Sequence, residues 1–186
     1  MKHMENGGFQ GHPLMRATIG LTLSLLMAFW ITNFAMYFGR MGLTSRSVVA
    51  YYNGSEEEFR PPRSAASMLE TTHAHLPMMG MVLLFLTHLA IFAPIPRGAK
   101  VGLIGAAFVS AVLDEGGGWL VRFVSPALAP VKIGGFVGLQ AAIAALLLVL
   151  AAFLLGAARR QAAQREGEEP GKVESLAEAR AVRGRD

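Results

Sequence analysis

Four stretches of the chain, about Ala17–Phe38, Thr71–Phe92, Val101–Val124 and Val131–Ala158, are long and apolar. Each is sufficient to cross a hydrocarbon core, which is about 30 Å thick and needs roughly 20 mostly apolar residues in a helix. No other feature constrains the fold as strongly, because a lipid-embedded segment must satisfy its own backbone hydrogen bonds and does so as a helix. Four crossings in 186 residues leave no room for a second folded domain. The expected fold is an all-α membrane protein, an up-down bundle of four transmembrane helices within residues 1–160, with a charged cytoplasmic tail at 161–186. The first span is too long and too aromatic for a signal-peptide core and is expected to be retained.

Charge placement sets the orientation. With the N-terminus inside, the inner side carries eleven Lys and Arg residues and the outer side six, namely Arg40, Arg46, Arg60, Arg63, Arg122 and Lys132. The positive-inside rule therefore places both termini in the cytoplasm. The segment between the first two spans, with Tyr51-Tyr52-Asn53-Gly54 and Glu56-Glu57-Glu58, becomes the largest outer loop. The net charge of +4 comes from basic residues that sit mostly beside the spans, which is a topology signal and implies no nucleic-acid partner. The implied location is the inner (plasma) membrane of a bacterium, with membrane lipid and other membrane subunits or cytochromes as partners.

Composition narrows the chemistry. With no cysteine, the chain has no disulfide, iron–sulfur cluster or thiolate zinc site. No nucleophile constellation, phosphate loop or zincin motif is present, which argues against a self-contained hydrolase or a nucleotide-driven enzyme. At most the chain is a non-catalytic or electron-transfer subunit of an oxidoreductase.

Local signals refine the helices. Ser67-Met-Leu-Glu70 fits a capping box ahead of the second span, and Pro94 and Pro96 end it. The third span is interrupted by Asp114-Glu115 and Gly116-Gly117-Gly118, which point to a break or to close approach of a helix or flat ligand. Gly134 and Gly138 make a GxxxG surface on the fourth span, which also holds Gln140. Beyond Arg160 the mixed-charge segment is expected to be a short frayed helix or a disordered tail.

Ionisable groups inside spans are functional candidates because of their cost in lipid. His73, His75 and His88 lie on the second span with Glu70 one turn above, and Asp114, Glu115 and Arg122 lie on the third. His73 and His88 are fifteen residues apart, so they share a face to within about 60° and stand roughly 22 Å apart along the axis. His75 diverges from His88 by about 140°. One histidine near each leaflet is the arrangement that holds two haems in series.

In these respects the segment from His73-Ala-His75 to His88, with the four-span layout, resembles the b-type cytochrome anchors of respiratory complexes. Leu69-Glu-Thr-Thr-His-x-His75 together with an Asp in the third span is also similar to small bacterial membrane proteins that accompany respiratory cytochromes. The resemblance implies haem b, with His73 and His88 on the iron. Those cytochromes take a second axial histidine from another helix, whereas the other spans here contain none. The second ligand would then be a methionine or a partner's histidine.

If the second and third spans pack as a hairpin, Glu70, His73, His75, Asp114, Glu115 and Arg122 converge on the outer third of the bundle. Three uses fit: Asp114 or Glu115 as a proton relay at a quinone site, with Glu70, His73, His75, His88 and Arg122 as cofactor contacts; a metal site at the H-x-H pair; or a structural ion pair of an acid with Arg122 or Lys132. The methionines near His75 also admit copper, although such residues are more often core filler. The expected function is an integral subunit of a respiratory or photosynthetic electron-transfer complex, contacting haem b and/or quinone near the outer face. The alternatives are a purely structural or assembly subunit and a small proton- or metal-handling membrane protein.

Overall fold

The computed structural model describes residues 13–183, with side chains for residues 14–159. His3 and His12 lie outside the described residues. The described chain is helical: α1 (Pro13–Phe38), α2 (Ser45–Asn53), α3 (Ala65–Ala90), α4 (Arg97–Phe123), a 3-10 turn (Pro126–Leu128) and α5 (Ala129–Arg183). Four segments, Leu14–Phe38, Ala65–Ala90, Arg97–Phe123 and Pro126–Arg159, are long and apolar enough to cross a membrane, as the hydropathy pattern predicts. Among the described residues there is no strand, only an isolated antiparallel bridge between Ser55 and Arg60.

Two contact units divide the chain. One comprises residues 22–150, and the described residues 13–21 and 151–183 belong to the other. In the second unit α5 continues without interruption to Arg183, where the sequence suggested fraying or disorder. The Ala, Glu, Gln and Arg that dominate this stretch are strong helix formers, and they carry the helix past Gly167 and Pro170.

Within residues 22–150 the long helices alternate in direction. Trp30 Nε1 donates to Gln140 O at 3.0 Å, and Phe34 packs edge-on against Phe136, so α1 and α5 are antiparallel. Gly117 lies against Lys132, and Gly138 against Ser110, so α4 and α5 are antiparallel too. Trp119 donates to Thr72 at one end of the α3–α4 pair, and Lys100 donates to Ile91 O at the other. The order is up-down-up-down, with α2 at the end shared by the C-termini of α1 and α4 and the N-termini of α3 and α5. The largest fully buried side chains include Leu83 and Leu86 of α3 and Leu146, Leu147 and Leu150 of α5. The apolar stretch of α5 is far more buried than that of α1, which makes α5 the central helix and α1 peripheral.

Three local expectations change. The start of α3 is capped one turn earlier than the Ser67–Glu70 box implied: Ser64 is the cap, its hydroxyl accepting from Ser67 N at 3.2 Å. Pro61 and Pro62 hold the preceding chain extended, so the first serine after them takes the cap. Second, α4 runs unbroken through Gly116–Gly118. These glycines serve close approach: a Cβ on Gly117 would come within 2.7 Å of Lys132 Cα, and one on Gly118 within 2.6 Å of the Tyr52 hydroxyl. Third, the contact on α5 uses Gly135 and Gly138 instead of Gly134 and Gly138. Gly134 faces open space, while Gly135 abuts the backbone of Asp114.

Candidate functional site

Asp114 and Glu115 are adjacent on α4 and turn toward different helices, as about 100° of rotation per residue requires. Asp114 meets Lys132 of α5, whose ammonium reaches the carboxylate at 2.5 Å and the Asp114 carbonyl at 2.9 Å. The pair is largely buried, with side chains 17% and 10% exposed respectively. Contact at this range is possible because Gly117 and Gly135 let the two backbones approach. Glu115 meets α3 instead. It accepts a short hydrogen bond from the Thr72 hydroxyl and lies 3.3 Å from His75 Nδ1. Thr72 in turn accepts from Trp119 Nε1 at 2.9 Å. The chain Trp119–Thr72–Glu115–His75 therefore ties α3 to α4.

Both carboxylates face one cavity of about 250 Å³ at the α2 end. Its polar end holds Thr72, His75, Asp114, Glu115, Trp119 and Lys132, while Phe29, Met79, Val82, Leu139 and Ile143 are among the apolar residues that continue the wall. Tyr51, Tyr52 and Arg63 close it from the interhelical segment. Arg63 donates to the Tyr51 hydroxyl at 2.9 Å and to the Ser67 hydroxyl at 3.0 Å, and its guanidinium lies over the Tyr51 ring. Burial raises the Tyr52 phenol above its ordinary 10.0, with Tyr51, Asp114 and Glu115 adding and Arg63 opposing. Tyr52 is thus a neutral wall of the pocket. The long loop expected between the first two spans is partly a lid, made by α2. Thr44 caps that helix, and Asn53 anchors it by donating to Val121 O at 3.4 Å.

Of the residues singled out from sequence, the fold gathers His75, Asp114 and Glu115. Glu70, His73 and His88 lie on the exposed face of α3, outside the cavity, with His88 edge-on to Phe92. Arg122 turns away from the acids and donates to the Arg63 carbonyl at 2.9 Å. Of the two ion-pair partners weighed for the acids, the fold uses Lys132. His73 and His75 project from different sides of α3, and among the described residues no group of three His, Asp or Glu side chains could hold a metal ion.

The described residues do not bring two histidines together for one haem. His73 and His88 are exposed on α3, and the only other histidine among the described residues, His75, is engaged with Glu115 on the other side of α3. Sequence reasoning assigned no site role to Thr72, Trp119 or the tyrosine lid. Helical spacing carries a signal for the first two, since Thr72 is three residues before His75 and Trp119 four after Glu115. No spacing rule places Tyr52 against Gly118.

No curated protein and no solved structure matches the chain. A transmembrane helical domain family, Aq_1264_TM, matches residues 42–161, which include α2, α3, α4 and the whole polar end of the cavity. An integral membrane protein of four apolar helices whose matched segment exceeds half of its length, the chain belongs to the Aq_1264_TM family of transmembrane helical domains.

Proposed function

We propose that this protein is an integral subunit of a membrane electron-transfer assembly and binds a quinone-class ligand in the cavity between α1, α3, α4 and α5, with the α2 end facing outward from a bacterial plasma membrane. The observation that carries this reading is one cavity in which an ionisable, hydrogen-bonding end meets an apolar wall. An apolar cavity of about 150 Å³ accepts benzene, so about 250 Å³ accommodates a substituted ring. The ring's apolar tail follows the methionine, leucine and phenylalanine side chains toward lipid.

A quinol supplies two electrons and two protons; the electrons pass to a redox partner in the assembly. Glu115 is placed to accept a proton from a bound hydroxyl, and His75, in contact with Glu115 and half exposed, carries it toward the surface. Thr72 and Trp119 orient the carboxylate. Asp114, paired with Lys132, keeps the adjoining wall polar without adding net charge. Any contact with haem b is made across the exposed face of α3, where His73 and His88 are available to a partner subunit.

The test uses the full chain in lipid nanodiscs. The chain has two tryptophans, so Trp30→Phe leaves Trp119 as the only reporter. A short-chain benzoquinone should quench it saturably, and Glu115→Gln should weaken that binding. In the intact assembly Glu115→Gln should slow quinol turnover without dispersing the subunits. Absence of saturable quenching, with unchanged turnover in the variant, would leave the structural-subunit alternative.

A further inference from the structure

Two polar side chains interrupt the apolar wall of the cavity, Asn33 of α1 and Gln140 of α5. Gln140 is only 4% exposed, and its Oε1 has no hydrogen-bond partner. An unpaired buried amide oxygen is costly, and natural interiors rarely keep one without a use. Its backbone carbonyl is already taken by Trp30 Nε1, so the segment is fixed while the side-chain oxygen remains without a partner.

The position of Gln140 relative to the charged end is defined by helix packing. Gly135 lies against Asp114, and Gln140 follows five residues later on α5, about 7.5 Å further along the axis. Helical side chains lean toward the N-terminus, which directs the Gln140 amide back toward the carboxylate end. The cavity therefore carries polar groups at two levels along its length, the carboxylate end and Gln140.

We infer that Gln140 is a second anchor, which selects rings bearing an oxygen on each of two opposite sides: one oxygen meets Glu115 and His75, the other the Gln140 amide. The inference rests on the quinone reading and specifies its ligand. An amide carries both a donor and an acceptor. By turning about its terminal bond it serves a carbonyl through its N–H and a hydroxyl through its oxygen, so the same residue suits oxidised and reduced rings. Gln140 is a positioning residue with no part in proton transfer.

The test compares two probes that differ by one hydroxyl, durohydroquinone and 2,3,5,6-tetramethylphenol, by anaerobic titration calorimetry of the full chain in nanodiscs. The wild-type protein should bind the two-oxygen ring about tenfold more tightly, the effect of one hydrogen bond to an otherwise unpaired buried group. Gln140→Leu should bring the ratio of the two affinities close to one, and Glu115→Gln should weaken both probes. Because the readout is a ratio within each variant, partial misfolding of Gln140→Leu does not change it. A ratio near one in the wild-type protein, or a tenfold ratio retained in Gln140→Leu, overturns the second anchor while leaving the quinone reading intact. Failure of both probes to bind the wild-type protein overturns the quinone reading and the anchor together.

Discussion

Asp114 and Glu115 show how a helix separates neighbouring residues of similar chemistry. The Asp114–Lys132 contact is buried between two helices, so removing one partner strands the other charge. Asp114→Asn or Lys132→Met should destabilise the protein by about 3–5 kcal/mol, and the double substitution should recover much of that loss, read as the thermal midpoint in detergent. Tyr52 gives a pH signature. Its phenol is raised in the fold, so above about pH 10 the unfolded chain loses this proton and the folded chain holds it. Folding then has to suppress an ionisation that the unfolded chain would make, and stability should fall as pH rises from about 10 toward the raised value. Tyr52→Phe should lessen that fall in alkaline unfolding curves. His75 and Glu115 were legible in sequence as ionisable residues in apolar spans. Their contact was not, because nothing local fixes which turn of α3 faces which turn of α4.

At the scale of elements, glycine placement decides the α4–α5 interface. The GxxxG spacing of Gly134 and Gly138 was visible in sequence, but Gly135 is the residue that abuts Asp114. Adjacent glycines look alike in sequence, and only the rotation of α5 about its axis distinguishes them. Gly135→Ala should drive a methyl group into the Asp114 backbone and destabilise by about 1–3 kcal/mol. Gly134→Ala meets open space and should stabilise by about 0.5–1 kcal/mol through the unfolded chain and helix propensity. Parallel thermal melts of the two variants check this; an equal loss in both would contradict the assigned face. The triple glycine of α4 follows the same logic. A run that looks like a helix break is instead a groove for Lys132 and Tyr52, because hydrogen bonding in an apolar span favours continuous helix.

For the whole molecule, the proposed orientation makes a direct prediction. Since the chain has no cysteine, single substitutions report location cleanly. Ser55→Cys, in the segment between α2 and α3, should react with a membrane-impermeant maleimide in intact cells. Pro94→Cys, in the turn between α3 and α4, should react only after permeabilisation. The reverse pattern would invert the topology. Four spans and an up-down order follow from residue order, because hydropathy and short connections are local properties and lipid permits little else. Residue order also marked the polar residues that had to be accommodated. Helix packing decided which of them share a cavity: half-exposed His75 reaches Glu115 at its edge while His73 and His88 stay on the outer face of α3, and Gln140 enters the cavity wall. That choice depends on the rotation of each helix and on glycine contacts between residues distant in sequence, and no local pattern encodes either.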